Sequence, residues 1–126
     1  MRFVGLILSL ILASFAWAGP DHTAEPVDDI KASVLAGKSL LVDVREQDEW
    51  NAGHLAAAAL VPLSALQANG EAAAKPLPRG KPIYLHCRSG KRSVVAAKIL
   101  KDLGYDGRAL AQGYDALLAA GFLKAP

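Results

Sequence analysis

The sequence has a single cysteine and three histidines among its 126 residues. One thiol cannot close an intrachain disulfide, and with only scattered His beside it there is no Cys/His zinc box. Stability has to come from packing, and neither a metal nor a cofactor is called for. Charge of one sign is also scarce: 14 Lys plus Arg face 12 Asp plus Glu, with no block of five or more like charges. A nucleic-acid face is therefore not expected. The length leaves room for one modest domain, and a composition 52% hydrophobic and 21% charged is that of a folded chain.

One apolar run stands out. Arg2 gives a positive start, Val4 to Phe15 is nearly all apolar, and Ala16-Trp17-Ala18 precedes Gly19-Pro20. This is the order of a secretory signal peptide with an A-x-A cleavage site, and the run is shorter than the roughly 20 residues of a spanning helix. Residues 1–18 are expected to be a cleaved signal, residues 19–25 a linker, residues 26–122 the domain and residues 123–126 a tail. Export predicts a periplasmic or secreted protein with no membrane attachment after cleavage. In such an oxidising compartment a lone thiol is conspicuous.

The remaining pattern alternates strands and helices. Val27, Ile30 and Val34 mark one face of a short helix ending at Gly37, with acidic residues in its first turn. Leu40 to Val44 is a continuous apolar run, the habit of a parallel strand buried on both faces. Glu46 to His54 reads as a polar turn or short helix, Leu60-Val61-Pro62 as a short strand, and Gly70 to Pro82 as a surface loop. Ile83 to His86 is a strand that runs into Cys87-Arg88-Ser89-Gly90-Lys91-Arg92. From Ser93 a helix follows, with Val95, Ile99 and Leu103 on one stripe and Gly104 as its stop. A strand near Arg108 to Ala111 and a helix from about Tyr114 to Ala120 complete a parallel α/β pattern with helices on both sides.

Cys87 carries the chemistry. It sits at the carboxyl end of a strand, where open parallel sheets bind ligands, and its turn feeds a helix N-terminus. Arg88, Lys91 and Arg92 surround it, and Gly90 lets the backbone turn so that loop N–H groups form an anion nest. Helix terminus and cations both favour a thiolate over a thiol. A structural core cysteine is the bland alternative, and three cations within five residues argue against it. His86, Asp43, Arg45 and His54 are read as scaffold: His86 packed or hydrogen-bonded within the fold, Asp43 and Arg45 as a polar pair, and His54 as a turn stabiliser.

The elements Leu41-Val42-Asp43-Val44-Arg45, Glu49-Trp50, Gly53-His54-Leu55, Leu60-Val61-Pro62, Ile83 to Ser93 and Gly113-Tyr114 together resemble a single-domain rhodanese-like sulfurtransferase. The resemblance covers about residues 26 to 122. It implies a five-stranded parallel sheet flanked by helices, Cys87 as the residue that takes a sulfane sulfur, and Arg88, Ser89, Gly90, Lys91 and Arg92 as the substrate loop. The implied donor is a small sulfur anion such as thiosulfate, the acceptor a thiol or a protein, and the protein a monomer. Gln112 stands where the family often has a second Gly, and Leu117 and Leu118 stand where it often has Trp.

Two other functions compete. Cysteine-dependent phosphatases and arsenate reductases also cradle an anion over a thiolate, but they place five residues between Cys and Arg, whereas Cys87 and Arg92 enclose four. The second competitor is a rhodanese-like binding or persulfide-carrier module; an inactive binding copy would need neither Cys87 nor its basic loop. The export signal yields the first testable expectation: the exported protein begins at Gly19. N-terminal sequencing that finds Met1 on a membrane-bound form would overturn it.

Overall fold

The computed structural model describes residues 21–126, so the expected signal peptide lies outside the described residues. Among them, no helix is long and apolar enough to cross a membrane. The order is α1 (Val27–Leu35), β1 (Leu40–Asp43), α2 (Gln47–Ala52), β2 (Ala58–Leu60), α3 (Leu63–Ala74), β3 (Pro82–His86), α4 (Lys91–Asp102), β4 (Asp106–Ala109) and α5 (Tyr114–Ala119).

The four strands pair in the order β2-β1-β3-β4, and every pairing is parallel. The resemblance implied five strands. Among the described residues there are four, and beside β4 His22 makes a single parallel bridge to Ala109, with the Thr23 N–H donating to the Ala109 carbonyl at 2.8 Å. Pro26 begins the turn into α1 four residues later.

Alternation along the central strands divides the interior into two layers. Val42, Val44, Ile83, Leu85 and Cys87 face α3 and α4, where Leu63, Leu66, Ala96, Ala97 and Leu100 meet them. Leu41 and Tyr84 face the other way, against Ile30 of α1 and Leu117 of α5, with Leu55, Leu110 and Phe122. Helices thus cover both faces, as parallel strands require.

Two expectations are corrected. The segment from Gly70 was expected to be loop, yet α3 runs through it to Ala74. The helix is kinked at Asn69 (φ −156°, ψ 86°), whose side-chain oxygen accepts the Ala72 N–H at 3.2 Å and starts a second helical turn. The short strand expected at Leu60-Val61-Pro62 lies earlier, at Ala58–Leu60, because those residues pair with Leu41, Val42 and Asp43. Residues 123–126 also pack on the domain: Lys124 bridges antiparallel to Leu55, and the Ala125 N–H donates to the His54 carbonyl.

A polar knot closes the carboxyl end of β1. Asp43 and Arg45 are buried, at 0% and 2% exposure. Asp43 accepts from Arg45 through the backbone N–H, Nε and Nη2, at 2.8 to 3.0 Å. Arg45 Nη2 also donates to the Gly53 carbonyl at 2.8 Å, and its guanidinium lies 4.3 Å from the centre of the Tyr114 ring. Removing one member strands a buried charge, so Asp43→Ala is expected to cost about 3–5 kcal/mol of stability. Urea denaturation measures this; a loss under about 1 kcal/mol would show that Arg45 is held by Gly53 and Tyr114 alone.

Candidate functional site

Cys87 follows the last residue of β3, and its side chain is fully buried at the base of the turn into α4. The turn is possible because Gly90 adopts φ 86°, ψ −4°, the left-handed region in which a glycine pays no side-chain penalty. In this conformation the Gly90 N–H points back at Cys87 Sγ, at 3.1 Å. Among the described residues it is the hydrogen-bond donor to the Cys87 sulfur.

The other wall of the turn is Gly113, for a different reason. A Cβ at that position would sit 1.9 Å from the Arg88 carbonyl oxygen, so backbone packs directly on backbone. The Tyr114 N–H then donates to the Cys87 carbonyl at 2.9 Å and fixes the start of the loop from the α5 side.

The loop residues separate into rim and wall. Arg88, Ser89 and Lys91 are exposed, Gly90 is buried and Arg92 is half-buried. The three cations were expected to act together on an incoming anion, and here a residue absent from that expectation intervenes. Glu49 of α2 takes Arg92 in a bidentate pair at 2.6 and 3.0 Å and lies 3.6 Å from Arg88 Nε. Arg92 holds the Glu49 carboxyl down at about 2, with the Glu46 backbone N–H adding to the effect against the cost of burial. Lys91 makes no ion pair among the described residues, so it is the loop cation that faces solvent unneutralised.

Glu49 also receives the Glu46 N–H as the fourth residue of a capping box, which sets the orientation of α2 against the loop. The first turn of α4, by contrast, carries Lys91 and Arg92 and no acidic residue. Cations there oppose the helix macrodipole, a local cost that an anion held in the turn would offset.

The histidines differ in role. His54 donates from Nδ1 to the Trp50 carbonyl at 3.0 Å and stacks on the Trp50 ring at 3.6 Å, which closes the end of α2 as expected of a turn stabiliser. His86 faces the layer opposite Cys87, next to Asp43 Oδ2 at 3.8 Å, and neither ring nitrogen has a hydrogen-bond partner. Burial pushes its pKa down, opposed in part by the Asp43 carboxylate, so the ring is neutral. It packs within the fold, as the sequence reading expected. Among the described residues no cluster of His, Cys, Asp or Glu could hold a metal ion.

Residues 26–120 match the family model for the rhodanese-like domain, and the chain belongs to that family. A probable adenylyltransferase/sulfurtransferase MoeZ of Mycobacterium tuberculosis is 37% identical over 76 residues, covering 60% of this chain and 19% of that protein. The human thiosulfate:glutathione sulfurtransferase is 27% identical over 89 residues, covering 63% of this chain and 77% of the relative. The solved structure of a human single-domain sulfurtransferase, TSTD1, superposes with a TM-score of 0.61 at 26% identity, covering 80% of this chain and 97% of that one. The chain spans only about a fifth of MoeZ, so a single domain is what the two share.

The Glu49 contact sets a pH dependence. Its folded-state pKa, about 2, lies below the ordinary 4.5, so the pair contributes stability above about 4.5 that is lost as pH falls toward 2. Glu49→Gln is therefore expected to lower the midpoint of thermal unfolding at neutral pH, and the gap to wild type should close between pH 4.5 and 2. A gap that persists unchanged at the acid end would show that the effect of Glu49 is not its charge.

Proposed function

We propose that the protein is a sulfurtransferase that moves a sulfane sulfur from thiosulfate, or a donor of the same kind, to a thiophilic acceptor through a persulfide on Cys87. The observation that carries the proposal is a buried thiol at the base of a basic strand-to-helix turn, with the Gly90 N–H aimed at its sulfur. Such a donor stabilises negative charge on sulfur without having to reorganise when the charge develops.

The cycle has two displacements. The Cys87 thiolate attacks the sulfane sulfur of thiosulfate, a new S–S bond forms, the old one breaks, and sulfite leaves with its electron pair. An acceptor thiolate then attacks the outer sulfur of the Cys87 persulfide, the S–S bond breaks, and the thiolate of Cys87 is regenerated while the acceptor carries the persulfide. No oxidant, metal or cofactor enters this balance. Lys91, unneutralised at the rim, attracts the dianionic donor through a field that salt would screen. Arg92, tied to Glu49, holds the shape of the loop.

Arg88, Ser89 and Gly90 complete the enclosure around the sulfur. The acceptor is a small thiol or a thiol on a partner protein, and the protein acts as a monomer. Its proposed place is the periplasm or the cell exterior, in keeping with the leader-like residues 1–18.

A phosphatase reading is disfavoured by the loop itself. Four residues between Cys87 and Arg92 make a ring shorter by one peptide than the phosphatase spacing, and the carboxylate nearest the loop, Glu49, is occupied by Arg92. That leaves it poorly placed to serve as a general acid.

The test is intact mass before and after incubation with thiosulfate. Wild type should gain one sulfur and lose it again on addition of cyanide, while Cys87→Ser should fold and gain none. A wild type that never takes up sulfur from thiosulfate or from small-molecule persulfides would favour the binding-module reading. Turnover of aryl phosphates with no persulfide on Cys87 would instead promote the phosphatase.

A further inference from the structure

We propose that His22 is a positioning residue for Cys87, acting through the Gly90 peptide. The residue lies ahead of α1 and outside the residues 26–120 that match the family, in a stretch the sequence presents as linker. Yet His22 Nε2 is 2.7 Å from the Gly90 carbonyl oxygen, 68 positions further along the chain. A carbonyl only accepts, so Nε2 carries the hydrogen and donates it.

The backbone of this segment is tied down independently of the ring. His22 bridges to Ala109 on the free edge of β4, and the Thr23 N–H donates to the Ala109 carbonyl. The imidazole therefore reaches the loop from a fixed anchor on the sheet. On the loop side, a Cβ on Gly90 would lie 3.1 Å from His22 Nε2 and 3.1 Å from the Ala111 carbonyl oxygen, so the ring and the chain after β4 enclose the Gly90 α-carbon.

Gly90 is the point of the loop where an outside restraint matters. Glycine imposes little on its own φ and ψ, and the direction of its N–H depends on what holds the residue. Besides the first backbone bond of α4, which an N-cap carbonyl accepts, two side chains donate to the Gly90 carbonyl: His22 Nε2 at 2.7 Å and Ser93 Oγ at 2.9 Å. The Ser93 hydroxyl has one hydrogen and a second acceptor in reach, the Leu110 carbonyl at 3.1 Å. When Ser93 serves Leu110, His22 is the side-chain donor that remains on Gly90. His22 thus fixes the left-handed turn that aims the Gly90 N–H at Cys87 Sγ.

The inference rests on the sulfur-transfer reading for what the thiol is used for, but its test needs no sulfur donor. The ultraviolet absorbance of the Cys87 thiolate is followed against pH in wild type, His22→Ala and His22→Gln. In His22→Ala the absorbance should develop at higher pH, and the rate of persulfide formation at neutral pH should fall about tenfold, the factor that goes with one lost hydrogen bond of ordinary strength. The thiosulfate concentration for half-maximal rate should stay the same, because the His22 contact is to the Gly90 carbonyl while Lys91, which attracts the donor, is unchanged.

His22→Gln, which keeps an N–H donor, should recover most of both effects. A folded His22→Ala variant whose thiolate absorbance follows wild type would overturn the proposal, and so would an effect that His22→Gln fails to relieve. If His22→Ala does not fold, imidazole nitrogen resonances of wild type decide: Nε2 protonation with a through-bond coupling to the Gly90 carbonyl carbon supports the proposal, and a ring protonated only on Nδ1 overturns it. Should no donor load wild type, the sulfur-transfer reading fails while the absorbance comparison still judges His22.

Discussion

The buried guanidinium of Arg45 is the constraint around which this domain is arranged. Its two strongest obligations, to Asp43 at the end of β1 and to the Gly53 carbonyl at the end of α2, fix where the chain goes as it leaves the first central strand. The ring of Tyr114 lies against the same group. Because Tyr114 also donates its N–H to Cys87, the Arg45 knot on one side of the sheet and the cysteine turn on the other share a single anchor in α5. A charge so deeply buried is tolerated only when every partner is in place, which makes this end of the sheet rigid.

Rigidity there sets the character of the site. The turn after β3 is a compromise between a backbone that must curl tightly and charges that would rather be elsewhere. Lys91 and Arg92 oppose the dipole of α4, and one of them is compensated by Glu49 across the cleft. The result is a rim whose positive charge is rationed. It is concentrated at Lys91, shared with Glu49 at Arg88 and withdrawn from Arg92, whose role becomes geometric. The same Glu49 caps α2, so the position of a surface helix and the charge at the mouth of the site are set by one side chain.

Much of this was legible in the sequence, and the portions that were not share a physical cause. Strands β1 and β3 and helix α4 were readable because aliphatic runs and a clean helical stripe leave little choice of structure. The cysteine turn was readable because its residue types are chemically unusual together. Helix α3 was hidden by Asn69, Gly70 and the prolines beyond it, which carry strong turn signals. Tertiary packing overrode them: Gly70 lies close against Ile99 and Leu103 of α4. Glu49 and His22 were missed as partners of the loop because their contacts join residues 43 and 68 positions apart, and no local pattern encodes such a meeting. The fifth strand failed in the opposite sense, since the family pattern implied a ladder where the described residues form one bridge.

The single cysteine has a consequence for how the site would empty. With no second thiol in the chain, a sulfur stored on Cys87 has no internal route of escape: it cannot be resolved to a disulfide within the molecule. Discharge must await a collision with another molecule, and the burial of Cys87 makes the rim the gate through which that molecule has to reach. In an oxidising medium the same burial shields the resting thiol from mixed-disulfide formation with passing thiols. On the sulfur-transfer proposal, storage and protection are one property of the turn, and the partner able to enter it would set the lifetime of the stored sulfur.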